Sequence, residues 1–142
     1  MRGTRVELAR RDEVQPRARH PELTIRILLV DDERVVREVL ALLLISLGHT
    51  VVAVASGAEA LARLEAAEPY DLVLTDLVMP GLGGWELVRR IRERWPTLPV
   101  GVMSGNHDSL AERRVPVDVT LTKPVFVDTL RAELARLAAR GA

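Results

Sequence analysis

Ile25-Arg26-Ile27-Leu28-Leu29-Val30-Asp31-Asp32, residues 25–32, is the stretch whose reading decides the fold. It is a short, almost continuous apolar run that ends on two carboxylates. A half-exposed strand alternates apolar and polar side chains, so a run without alternation reads as a strand buried on both faces. The period then changes. Val35 to Leu47 has helical spacing, which predicts Val35, Val36, Val39, Leu40, Leu43 and Leu47 on one face, with Gly48 as the stop.

The same alternation continues along the chain. Thr50 to Val54 reads as a second strand. Ser56-Gly57-Ala58-Glu59 has the spacing of a capping box and opens a helix through Ala66, with Pro69 beyond its end. Asp71 to Thr75 is a third strand. The glycine-rich loop Pro80 to Gly84 leads into a helix from Trp85 to Trp95, ended by Pro96. Pro99 to Met103 is a fourth strand, Ser109 to Arg114 allows one brief helix, and Val117 to Leu121 is a fifth strand. A final helix runs from Val127 to Arg140 with Leu130, Leu134 and Leu137 inward. Five strands alternating with five helices predict an α/β protein with a mostly parallel sheet covered on both faces.

Composition narrows the function classes. The 142 residues suffice for one domain with a sizeable core, and a hydrophobic content of 48% suits a packed protein. The formal net charge is zero, which gives no electrostatic case for nucleic acid as a partner. There is no cysteine, so disulfides and thiolate metal sites are excluded, in keeping with a reducing, cytoplasmic setting. No apolar run approaches the roughly 18–20 residues that span a bilayer, so no membrane association is expected. Residues 1–23 carry six arginines and four acids, with Pro16 and Pro21 near their end, and read as a flexible Arg-rich arm ahead of a domain over 24–142.

In a parallel α/β sheet, ligands gather beyond the carboxyl ends of the strands. The polar residues there are Asp31, Asp32, Asp76, Ser104 and Lys123. Lys123 is the one lysine, against nineteen arginines. A compact ammonium acts as a point charge on a phosphate oxygen, where a planar guanidinium is wider. Converging carboxylates repel one another without a cation, and an all-oxygen site suits Mg²⁺ or Mn²⁺. An Asp-Asp pair after a strand also caps the next helix, and Ser104-Gly105-Asn106 also reads as a turn; spacing alone leaves these open. A carboxylate such as Asp76, facing a metal, can take a phosphoryl group as an acyl phosphate.

On these residues the chain resembles the receiver domain of bacterial two-component response regulators, the CheY-like family. The motifs are Ile27-Leu28-Leu29-Val30-Asp31-Asp32-Glu33, Asp76-Leu77-Val78-Met79-Pro80-Gly81-Leu82-Gly83-Gly84, Ser104, and Leu121-Thr122-Lys123-Pro124, within residues 25–140. The resemblance implies a flavodoxin-like, doubly wound (βα)5 three-layer sandwich with sheet order 2-1-3-4-5. It implies Asp76 as phosphoacceptor, and Asp32, Asp76 and the Val78 carbonyl as direct ligands of Mg²⁺, with Asp31 acting through a metal-bound water. Ser104, Lys123 and the Gly105 amide would contact the phosphoryl oxygens, and the Lys123-Pro124 peptide would be cis. The implied partners are a sensor histidine kinase or phosphotransfer protein and a downstream protein target. The chain would be a phosphoacceptor, not a turnover enzyme.

Three positions depart from the family pattern. Thr120 stands where the receiver switch uses an aromatic, three residues before the lysine. The stretch from Ser104 to Lys123 is short, which leaves little room for a fourth helix. Gly83 and Val125 replace an acid and a phenylalanine. Gly84-Trp85-Glu86-Leu87 through Leu98-Pro99-Val100 also resembles receivers fused to hybrid histidine kinases, and nothing after the final helix reads as a DNA-binding module. The competing readings are an interaction module that keeps the site without switching, and a phosphatase-like enzyme. The second lacks an acid two residues after Asp76.

Overall fold

The computed structural model describes residues 24–105 and 115–141. Its elements are β1 (Arg26–Val30), α1 (Arg34–Ser46), β2 (Thr50–Val54), α2 (Gly57–Glu65), β3 (Leu72–Asp76), α3 (Gly84–Arg94), β4 (Val100–Ser104), β5 (Val119–Thr122) and α4 (Val127–Gly141). The strands form one parallel sheet in the order β2-β1-β3-β4-β5, as the resemblance implies. The expected arm at 1–23 and the brief helix at 109–114 lie outside the described residues.

Strand alternation divides the core in two. Ile27, Leu29, Leu72, Leu74, Met103 and Leu121 face α1 and α4, where they meet Leu40, Leu44, Leu130 and Leu134. Leu28, Val30, Val73, Val100 and Val102 face α2 and α3, where they meet Ala60, Leu64, Leu87 and Ile91. Each central strand is therefore apolar on both sides, which is why its sequence does not alternate. Fully burying one such aliphatic side chain is worth about 1.5–3 kcal/mol. The two facing layers cover the sheet on both sides.

Local signals account for the helix ends. The Ser56 side chain accepts from the Glu59 amide at 3.1 Å, and Glu59 Oε1 accepts from the Ala55 amide at 3.1 Å, so the box closes one residue earlier than the standard pattern. Gly48 follows α1 with φ 99°, the left-handed conformation that glycine adopts without strain. Ala67 does the same work after α2 with φ 63°, at a cost of roughly 1 kcal/mol for its Cβ.

The expected face of α1 is met in part: Leu40 is buried and Val36, Leu43 and Leu47 pack against the core. Leu40, Ala41 and Leu44 are buried, whereas Val35 and Val39 are 64% and 51% exposed, with Leu42 exposed beside them. The helix is apolar on several sides, so periodicity found the centre of the inward arc and not its limits. β5 also begins two residues later than predicted. Asp118, ahead of it, turns its carboxylate onto the Val100 amide at 2.9 Å, and the ladder starts at Val119.

Candidate functional site at the carboxyl edge of the sheet

Register brings the predicted residues to one edge. Val30 pairs with Thr75, which sets Asp31 level with Asp76, the last residue of β3. Asp76 pairs with Met103, and Ser104 ends β4 one step beyond. Ser104 pairs with Thr122, and Lys123 follows. Alternation places Asp31, Asp76 and Lys123 on the side of the sheet that faces α1 and α4, and Ser104 with Thr120 on the other.

The result is a compact charged cluster. Asp31, Asp32 and Asp76 each offer a carboxylate oxygen, all within 4.8 Å of one another. Lys123 Nζ donates to Asp31 Oδ2 at 2.8 Å and to Asp76 Oδ2 at 3.2 Å. Asp31 is wholly buried and Asp32 is more exposed. Asp31 Oδ1 accepts from the Glu33 amide at 3.0 Å, so both of its carboxylate oxygens are engaged within the chain. Burial pushes the Asp76 carboxyl above the usual carboxylate range, against the opposing pull of Lys123. Lys123 is itself raised; burial opposes its charge, but the hydrogen bond to Asp31 and the charge of Asp76 outweigh it. Its cation is therefore secure.

The surrounding backbone is shaped around this cluster. A Cβ on Gly84, at the start of α3, would lie 2.3 Å from the Asp76 carbonyl oxygen and 2.5 Å from Leu77 Cα. Only glycine permits that approach, and the Gly84 amide uses it to reach the Leu77 carbonyl at 2.9 Å. The Lys123 amide donates to the Ser104 carbonyl at 2.9 Å, and the Lys123-Pro124 peptide is cis. Gly105 lies beside Lys123, since a Cβ there would be 3.9 Å from Lys123 Cβ. Ser104 is buried, and Val78 turns its side chain to solvent two residues after Asp76. Sequence reasoning missed Arg37, whose Nη1 donates to the Asp31 carbonyl at 2.8 Å. The signal was available: α1 carries two arginines and no acid in its first turn.

The cluster of hard oxygen donors fits a small divalent cation such as Mg²⁺. Among the described residues no helix is long and apolar enough to cross a membrane.

Comparison with known proteins agrees with this arrangement. The family model of the response regulator receiver domain matches residues 27–135. The transcriptional regulatory protein TcrA of Mycobacterium tuberculosis is 38% identical over 120 residues, which cover 82% of this chain and 47% of TcrA. The virulence sensor protein BvgS of Bordetella bronchiseptica is 38% identical over 132 residues, 86% of this chain and 11% of BvgS. The chain thus spans about half the length, or less, of these relatives. Among solved structures, the response regulator TrrA of Thermotoga maritima, in complex with Mg²⁺-BeF, is 29% identical with a TM-score of 0.74, covering 79% of this chain and 97% of that one. A response regulator structure from Chloroflexus aurantiacus is 30% identical with a TM-score of 0.75, covering 82% and 99%. Sheet order, acidic edge and family match together place this chain in the response regulator receiver family of two-component signalling, with the flavodoxin-like, CheY-like fold.

Proposed function

We propose that Asp76 is a phosphoacceptor, charged with a phosphoryl group by a sensor histidine kinase, a phosphotransfer protein or a small phosphodonor. The observation that carries this reading is the convergence of Asp31, Asp32 and Asp76 within 4.8 Å, with Lys123 Nζ held between two of them. A carboxylate oxygen of Asp76 bonds to phosphorus as the donor's bond to phosphorus breaks, and that electron pair leaves with the donor. Its raised affinity for a proton marks Asp76 as the more nucleophilic kind of carboxylate.

Asp32, Asp76 and the Val78 carbonyl are the groups to hold Mg²⁺ or Mn²⁺. Asp31, with both carboxylate oxygens engaged by Glu33 and Lys123, belongs to the outer sphere. The cation supplies charge neutralisation on the phosphoryl oxygens. Lys123 supports a second oxygen, and the Ser104 hydroxyl and Gly105 amide a third. The exposed apolar side chains of Val35, Val78 and Phe126 follow β1, β3 and β5 around this edge, where a donor protein must approach Asp76. In the bacterial cytoplasm such a chain passes the signal on by a change of affinity for a downstream protein.

One observation favours a second reading. Thr120 sits on β5 opposite Val102, with a small hydroxyl where the receiver switch uses an aromatic ring. A module that keeps the acidic edge without switching its surface fits that residue, and the likeness to BvgS fits the receiver portion of a hybrid kinase. Chemical shifts with and without beryllofluoride and Mg²⁺ separate the two. Changes confined to the edge loops favour the module, and changes reaching residues 117–140 favour the switch.

The acceptor assignment is tested by intact mass after incubation with acetyl phosphate, with and without Mg²⁺. A Mg²⁺-dependent gain of one phosphoryl group in wild type and none in Asp76→Asn is expected. A gain that persists in Asp76→Asn refutes the assignment.

A further inference from the structure

We propose that Arg37 is a positioning residue for the acidic pair: its guanidinium holds the turn that presents Asp32 to the divalent cation. The inference rests on the metal-binding reading above. Arg37 lies in the first turn of α1, where the helix dipole disfavours a cation. The same turn lacks any acid, and the N-cap residue Glu33 makes no side-chain cap bond. Arg34, the other cation there, lies 3.5 Å from the exposed Glu38 one turn on. Arg37 instead reaches back six residues, half-buried, and its Nη1 donates to the Asp31 carbonyl at 2.8 Å.

That bond completes the anchoring of Asp31. Its amide donates to the Val54 carbonyl at 3.2 Å, its Oδ1 accepts from the Glu33 amide, and its Oδ2 accepts from Lys123. With its carbonyl taken by Arg37, every polar atom of Asp31 is fixed by a different element or turn. The next residue is Asp32. Holding the Asp31 carbonyl sets the peptide plane between the two, and with it the direction in which the Asp32 carboxylate leaves the backbone. Charge alone predicts the opposite consequence. A guanidinium at this edge of the sheet repels a divalent cation, so its removal would tighten binding if Arg37 acted by charge. The two accounts therefore differ in sign.

The test is Mn²⁺ titration of the full chain, followed by electron paramagnetic resonance of the free ion, with amide hydrogen exchange in metal-free protein as a second readout. Arg37→Met keeps the length and loses the donor; Arg37→Lys keeps a donor. Positioning predicts that Arg37→Met weakens Mn²⁺ binding about 5-fold, near 1 kcal/mol. It also predicts binding within about twofold of wild type for Arg37→Lys, and faster exchange of the Asp32 and Glu33 amides in metal-free Arg37→Met with Leu74 and Val102 unchanged. Equal or tighter binding by Arg37→Met, or loss in Arg37→Lys as large as in Arg37→Met, overturns the proposal. If wild type and Asp32→Asn titrate alike, the metal reading fails and takes the presentation of Asp32 with it. The exchange arm then still decides whether Arg37 holds the turn.

Discussion

Replacing Lys123 with methionine is expected to make the stability of this protein depend on Mg²⁺. The Lys123 ammonium lies 2.8 Å from Asp31 Oδ2, on a side chain with no exposure, and 3.2 Å from Asp76 Oδ2, on one that is 11% exposed. Removing one partner of a buried ion pair leaves the other charge uncompensated and typically costs 3–5 kcal/mol. Lys123 is itself 20% exposed, so the lower end, about 3 kcal/mol, is the expected loss in EDTA. A divalent cation replaces the missing charge and stabilises by about 2.7 kcal/mol at 100 times its dissociation constant. Mg²⁺ therefore recovers most of the loss. Burial already raises the Asp76 carboxyl, and Lys123 is the chief group pulling it down. Without the ammonium the carboxyl rises further. A raised acid costs stability when ionised and is relieved on protonation, so the deficit is greatest at neutral pH and narrows as pH falls through the raised value. Urea unfolding of wild type and Lys123→Met, in EDTA and in Mg²⁺, measures all of this. A variant as stable as wild type in EDTA, or one that gains nothing from Mg²⁺, refutes the reasoning.

Two other outcomes are expected. His49 is buried between α1 and β2, its Nδ1 accepts from the Ile25 amide at 3.2 Å, and desolvation lowers its pKa from 6.5 to about 4. The unfolded chain then binds the extra proton first, so stability is full above pH 6.5 and falls as pH drops toward 4, by about 2 kcal/mol between pH 6.5 and 5; His49→Gln should lack that slope in urea unfolding, and an identical slope would count against a neutral buried imidazole. In metal-free protein at pH 7, Asp76→Asn should raise the unfolding midpoint, while Asp118→Asn should lower stability by about 2 kcal/mol through its charge-assisted hydrogen bonds; movement of both in the same direction would be inconsistent with their opposite environments.

Most of the strand and helix limits were legible because each central strand is buried on both faces, Gly48 follows α1, Ser56 opens α2 and Pro96 follows α3. The gathering of the candidate residues at one edge was legible for a related reason. The sheet is parallel, so every strand delivers its last residue to the same edge, and one-dimensional position becomes position at a rim. The limits of the inward face of α1 were not legible, although Val36, Leu40, Leu43 and Leu47 were placed on it. Val35, Val39 and Leu42 are as apolar as Leu40, Ala41 and Leu44, and the choice between the two arcs belongs to the sheet and α4, which sequence periodicity does not contain. The shift of β5 was equally hidden. Val117 is apolar enough for a strand, but the Asp118 carboxylate captures the Val100 amide and Arg92, 2.9 Å from each, and this bond lies 18 and 26 residues away along the chain. Arg37 was visible as an anomaly of charge, and its contact with the Asp31 carbonyl needed coordinates.

The two ends of the sheet use aspartate in opposite ways, and that opposition separates structure from chemistry. At the amino end, burial would raise the Asp118 carboxyl, but the Val100 amide and the Arg92 and Arg140 guanidinium groups outweigh it and hold it below its ordinary value. Its carbonyl meanwhile accepts from Arg136 at 2.7 Å. Asp118 therefore joins α3, β4, β5 and α4 as a stabilising ion, present above the unfolded carboxylate pKa and lost as pH falls. At the carboxyl end, Asp76 has one cation to share with Asp31, and desolvation wins. Its ionised form is destabilising in the fold, and under the proposed function the same desolvation makes it the better nucleophile. Three carboxylates against one ammonium leave this edge short of positive charge, which a divalent cation would supply under the proposed function. The Arg92 and Arg140 guanidinium groups stand at the opposite end of the sheet, around Asp118, and the carboxyl edge keeps the sequence's one lysine.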